Sequence, residues 1–207
     1  MASGLIHMCV AKELNKYLRR NEEEILLGSI APDLAKLVDI PKKTTHFAET
    51  DENIPNMDIF LNQYKKYLKN DFVMGYYIHL YTDYIWFNLF IPSLFKDGKI
   101  LKLNNRTINY NEDKLYEYIY DDYSSINKEL LKQYDIKMNI LKENSSIKNI
   151  IKELPIDKLG ILIKKQKQII KESEKKESIL FDTELINNFI EFSVNDILSN
   201  IDNLNKD

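Results

Sequence analysis

Apolar residues recur at three- and four-residue intervals along most of this chain, the spacing of helices that bury one face. Over residues 3–20 the repeat runs through Leu5, Ile6, Cys9, Val10, Leu14, Tyr17 and Leu18, with Ser3 placed to cap the helix. Residues 22–30 read as a second helix, whose acidic start suits the helix dipole. It runs into GSIAPD, residues 28–33, where Pro32 stops one helix or opens the next and Asp33 lies just inside a helix start. Residues 39–56 hold Pro41, Pro55 and few apolar positions, so they read as a loop, within which stands Thr45-His46-Phe47. Residues 55–69 return to an amphipathic helix through Ile59, Phe60, Tyr64, Tyr67 and Leu68.

The most apolar and aromatic run follows, DFVMGYYIHLYTDYIWFNLFIPSLF at residues 71–95. It predicts a buried helix that bends or ends near Pro92. Asp97-Gly98 marks a turn, and residues 99–110 alternate around Asn104-Asn105 as a small hairpin. Residues 111–134 resume the helical repeat through Leu115, Tyr118, Ile119, Tyr123, Ile126, Leu130 and Leu131, interrupted by Asp121 and Asp122. A short helix is expected over 146–154, and another from Pro155 to about residue 171. Lys164, Lys165, Lys167, Lys171, Lys175 and Lys176 read as a solvated face. Asp182 is placed to cap a last helix over 183–204, and residues 203–207 as a frayed tail. The pattern predicts an all-α, multi-helix bundle forming one domain over residues 1–207.

Composition supports this reading. Five Gly and five Pro are too few for a turn-rich β architecture. Hydrophobic residues at 44% supply a core, and charged residues at 29% supply a polar surface. A net charge of -3 argues against a nucleic-acid partner held by electrostatics. One cysteine, Cys9, leaves no internal disulfide. The N-terminal stretch has no basic segment followed by a long apolar one, and residues 71–95 carry Asp71, His79, Asp83 and Asn88. Neither a signal peptide nor a transmembrane span is expected, and the default location is cytoplasmic.

The candidate chemistry sits in the first half of the chain. His79 and Asp83 are four residues apart, so they stack on one helix face, with Gly75 and Trp86 on or near it. Burying a carboxylate costs several kcal/mol without a compensating cation. No Lys or Arg occurs between residues 71 and 95, so a metal ion is the leading candidate. The chain has three histidines, His7, His46 and His79. Asp33, His46, His79 and Asp83 offer imidazole nitrogen and carboxylate oxygen, a ligand set that suits zinc or another divalent transition metal. His7 adds a second ion if Asp83 bridges. Two ions roughly 3.5–4 Å apart polarise a phosphoryl group and activate a water.

These stretches resemble the bacterial zinc-dependent phospholipase C family, which has single-strand nucleases as fold relatives. The resemblance rests on the N-terminal helix with His7, GSIAPD with Asp33, Thr45-His46-Phe47, and GYYIHLYTDYIWF with His79 and Asp83. It covers residues 1–95. It implies a helical bundle whose helices project ligands toward zinc. Asp33, His46, His79 and Asp83 would hold one ion, and His7 and Asp83 would contribute to a second. Asp33 would be the catalytic carboxylate beside the attacking water. The implied reaction is hydrolysis of a phosphodiester or phosphomonoester, on a small molecule or a phospholipid headgroup. The family places further His and Glu ligands soon after this stretch; no histidine follows His79, so the second ion's site would be absent or rebuilt from carboxylates such as Asp121 or Asp122. The alternative is a non-catalytic helical protein with a structural or vestigial metal site. A helical hydrolase built on an adjacent His-Asp pair is disfavoured, because no histidine here is followed by Asp.

Overall fold

The computed structural model describes residues 1–50, 54–143 and 147–204. The architecture is all-α, with one small antiparallel sheet. Helix α1 spans Gly4–Leu18, α2 Glu22–Gly28, α3 Lys42–His46, α4 Met57–Tyr64 and α5 Asp71–Ile85. A π-helical turn, Trp86–Phe90, carries α5 into the short helix α6, Ile91–Ser93. Helices α7 Glu112–Gln133, α8 Leu159–Glu172 and α9 Thr183–Leu204 complete the chain.

Local chemistry explains where these helices start. The Ser3 side chain accepts from the Ile6 amide and begins α1, as its position suggested. Asparagine does the same work repeatedly: Asn21 caps α2, Asn56 caps α4, Asn70 caps α5 and Asn111 caps α7. The Asp182 carboxylate accepts from the Leu185 amide at the start of α9. The sheet has the order β1-β2-β3, from Phe95–Lys96, Lys99–Leu101 and Thr107–Asn109. Asp97 and Gly98 both have positive φ in the β1-β2 turn, 52° and 70°. The hairpin expected around Asn104-Asn105 is present as β2-β3, and β1 adds a strand that alternation alone did not indicate.

Three expectations are corrected. The stretch read as a loop over 39–56 contains α3, because Pro41 precedes it as a cap and Thr45 is held by the Pro32 carbonyl; residues 51–53 lie outside the described residues. The helix expected over 146–154 does not form in residues 147–154. There, Ile151 and Leu154 are buried singly, and the chain turns before Pro155; Ser146 lies outside the described residues, as do residues 205–207. Tyr17 and Tyr67, placed on apolar stripes by spacing, are exposed.

The core is centred on α5. Its Phe72, Val73, Tyr76, Tyr77, Ile78 and Leu80 are fully buried, among side chains of α1, α2, α4 and α9. No helix among the described residues is long and apolar enough to cross a membrane.

The acidic pair of α7 divides between two tasks. Asp121 pairs with Lys176 on the surface. Asp122 is fully buried and accepts the amide N–H groups of Ile179, Leu180 and Phe181 at 2.8, 2.7 and 3.0 Å. This fastens the approach to α9 onto α7. Asp122→Ala is expected to strand these donors and cost about 2 kcal/mol, read as a lowered denaturant midpoint with unchanged slope.

Candidate metal centre

Four separate segments deliver the five candidate residues to one place. His7 comes from the first turns of α1, Asp33 from a tight 3-10 turn, Ala31–Leu37, His46 from the end of α3, and His79 and Asp83 from α5. All are buried: His7, His46, His79 and Asp83 completely, Asp33 to 5% exposure. Asp33 therefore sits in a 3-10 turn rather than an α-helix, and His46 ends a helix rather than lying in a loop.

The backbone sets the imidazole orientations. His79 Nδ1 lies 2.8 Å from the Ser29 carbonyl, which can only accept, so Nδ1 carries the proton. His46 Nδ1 lies 3.1 Å from the Lys42 carbonyl one helical turn back and 3.1 Å from the Thr45 hydroxyl, which donates its own proton to the Pro32 carbonyl at 2.8 Å, so this Nδ1 carries the proton as well. Both neutral rings then present an Nε2 lone pair inward, and those two atoms face each other at 3.2 Å. Burial holds both histidines below the ordinary imidazole range, with His7 adding to the effect at His79. Neither ring is therefore set to supply the missing proton.

Carboxylates surround these lone pairs. Asp33 Oδ1 is 3.6 Å from His46 Nε2. Asp83 Oδ2 is 3.7 Å from His46 Nε2 and 3.6 Å from His79 Nε2. The other Asp83 oxygen, Oδ1, is 3.3 Å from His7 Nε2 and accepts the Ala2 amide at 3.0 Å. His7 stacks on His79 with ring centres 3.8 Å apart. Among the described residues, Asp83 Oδ2 and both nitrogens of His7 have no hydrogen-bond partner, and Asp33 Oδ1 has only the Lys36 ammonium at 3.2 Å. Burial alone would raise the Asp83 carboxyl; His7 and His79 outweigh it and hold it well below the usual range. Asp33 is likewise depressed against its burial, through Lys36, His46 and His79.

This donor set fits a divalent ion. Ligands held tetrahedrally at about 2.0–2.2 Å from zinc stand roughly 3.4 Å from one another, close to the 3.2–3.7 Å that separate His46 Nε2 from Asp33 Oδ1, His79 Nε2 and Asp83 Oδ2, and His79 Nε2 from Asp83 Oδ2. Two groupings satisfy metal-ligand spacing: Asp33, His46 and His79; and His7, His79 and Asp83. Both ligand imidazoles of the first group also donate their outer N–H to a backbone carbonyl, the usual orienting partner of a metal-bound histidine. Asp121 and Asp122, engaged elsewhere, join neither group.

Asp33 also lines a cleft of about 710 Å³. Lys36 and Lys42 flank it there, and Phe87, Ile91, Leu115, Ile119 and Tyr123 give the cleft an apolar, aromatic wall. Sequence reading did not single out the two lysines, although Lys36 stands one turn beyond Asp33 and Lys42 one turn before His46. A second groove, lined by Arg20, Lys65, Lys66 and Lys69, includes none of the candidate ligands. No protein-family model, curated protein or solved structure matches the chain.

Proposed function

We propose that this chain is a metal-dependent hydrolase of phosphoric esters, with zinc as its ion and a site plan similar to that of the zinc-dependent phospholipase C family. The observation that carries the reading is the pair of imidazole lone pairs facing each other at 3.2 Å between two buried carboxylates. Uncompensated, that arrangement is repulsive and desolvated at once. A cation among the four groups turns the same arrangement into a bonded one.

Asp33, His46, His79 and Asp83 would hold one ion, and His7 with Asp83 Oδ1 faces a second position. When bound, zinc supplies Lewis-acid polarisation of the phosphoryl oxygen and lowers the pKa of a water. The chain's own residues supply the rest. Asp33 stands at the boundary between the buried ligands and the cleft, the one candidate ligand with a share of cleft surface. Ionised at neutral pH, it can accept a hydrogen bond from an attacking water and orient it. Thr45, against His46 Nδ1, and Tyr76, whose hydroxyl donates to the Thr45 carbonyl, are fully buried, so bulk water is excluded from that side of the site.

The complete burial of His7, His79 and Asp83 favours the second reading, an ion that only holds the helices together. Two measurements separate these. Purified protein is expected to hold zinc, and His79→Ala to lose it, by elemental analysis. Hydrolysis of bis-p-nitrophenyl phosphate or p-nitrophenyl phosphate is expected from the loaded wild type and absent from His79→Ala. Full zinc occupancy with no turnover of either ester would favour the structural ion. Wild-type protein that takes up no divalent metal would end both.

A further inference from the structure

We propose that Lys36 and Lys42 form the anion seat of this cleft, holding the non-reacting oxygens of a phosphoester beside Asp33. This rests on the phosphoester reading above and names the residues that would receive the substrate's charge.

Geometry brings both lysines to the cleft from different segments. Lys36 follows Asp33 by three residues, and its Nζ lies 3.2 Å from Asp33 Oδ1 with the side chain still 40% exposed. Lys42 opens α3, the helix that ends in His46. Its backbone carbonyl receives the His46 Nδ1 proton, while its side chain lines the cleft. The same residue thus orients a candidate ligand through its main chain and offers a cation through its side chain. Lys42 has no ion pair among the described residues; its ammonium lies 5.4 Å from the centre of the Phe87 ring, on the apolar wall of the cleft. A partly buried ammonium resting on an aromatic ring, with no carboxylate partner, is placed to receive an anion.

Charge arithmetic gives the pair a task. Asp33 and Asp83 carry two negative charges, which one divalent ion balances. A phosphomonoester or phosphodiester then brings one or two more. The ligand carboxylates already neutralise that ion, so the added charge is met from outside the first ligand set. Two lysine ammoniums on the open side of Asp33 match the incoming charge. The apolar wall opposite would accept the organic part of the ester.

The test titrates inorganic phosphate into the full-length protein, with and without zinc, by calorimetry, for wild type, Lys42→Met, Lys36→Met/Lys42→Met and Lys42→Arg. Zinc content and melting temperature are recorded for each. Wild type is expected to bind phosphate. Lys42→Met should weaken it about 10-fold and the double variant about 100-fold, each lost contact being one charge-assisted hydrogen bond. Lys42→Arg should stay within about 3-fold of wild type, because it retains the charge. Zinc content should be unchanged throughout, since neither side chain is a ligand. A zinc-loaded double variant that binds phosphate as wild type does would overturn the assignment, as would loaded wild type that binds none. If the protein holds no zinc, the hydrolase reading fails by itself. The zinc-free titration then decides the seat: binding that drops in the double variant supports it, and no binding overturns it.

Discussion

Asp83→Asn is expected to abolish metal retention and turnover together. This carboxylate presents one oxygen to each candidate position, Oδ1 toward His7 and Oδ2 toward His46 and His79. Asparagine preserves shape and can still accept the Ala2 amide. It cannot bridge two ions, and its NH₂ group, placed at Oδ2, would donate to the Nε2 lone pairs that a metal needs. Zinc sites in small domains are worth about 10–16 kcal/mol in total, so one ligand of four accounts for roughly 3 kcal/mol, or about 10²-fold in affinity. Loss of a bridging ligand should exceed that. Competition with a chelator of known affinity measures the change. Stability gives an independent reading: a ligand at a thousand times its dissociation constant adds about 4 kcal/mol, so wild type should melt higher with zinc than with chelator. Asp83→Asn should lose that difference. Asp122→Ala is the contrast, since its carboxylate serves backbone amides far along the chain; it should be less stable yet keep the zinc-dependent increment. Zinc bound by Asp83→Asn with wild-type affinity would remove Asp83 from the ligand set.

How much of this was legible in the sequence depends on the range of the interaction. Helical periodicity is local, so α1, α2, α4, α5, α7, α8 and α9 were readable within a few residues at their ends. The His79-Asp83 stacking is also local, a four-residue step on one helix. That His7, Asp33 and His46 meet it was an inference from scarcity and resemblance, because nothing in helical spacing fixes how four segments pack. The short α3 was missed for a related reason. Five residues with two lysines and two threonines show no apolar stripe, and tertiary anchoring by the Thr45 hydroxyl on Pro32 stabilises the turn. His7 falls beside the Leu5-Ile6-Cys9-Val10 stripe in the sequence, yet it is fully buried, since a polar side chain can point inward when a polar cluster awaits it. Asp122 shows the reverse limit. It is as buried as Asp83, and only the partners reached across the fold distinguish a backbone clamp from a ligand.

Gly75→Ala is expected to be severely damaging, matched only by Gly28→Ala, whose Cβ would stand 2.2 Å from the Phe72 carbonyl oxygen. Helices α2 and α5 touch backbone to backbone where Gly28 meets Gly75. A Cβ built on Gly75 would stand 2.2 Å from the Ile25 carbonyl oxygen and 3.0 Å from the Gly28 Cα. The oxygen cannot swing aside cheaply, because it accepts the Ser29 amide at 2.9 Å in the last turn of α2. The helices must separate instead, across fully buried side chains. Overpacking of this kind costs about 3 kcal/mol or more, which lowers the melting temperature of a chain this size by roughly 10 °C. The damage should also reach the site. Gly75, His79 and Asp83 follow one another at four-residue steps along α5, and the carbonyl that holds His79 belongs to Ser29, the residue after Gly28. Pushing α2 away withdraws that acceptor and frees the His79 ring to turn. Loss of such an orienting partner weakens metal affinity by about 10- to 100-fold. Gly160→Ala in α8 is the control: its Cβ would meet only the Glu143 carbonyl at 3.4 Å and the Glu143 side chain beyond. It should leave stability level or up to about 1 kcal/mol higher, as alanine for glycine in a helix does. If Gly75→Ala melts and binds zinc as wild type does, the close crossing of α2 over α5 is not what seats His79.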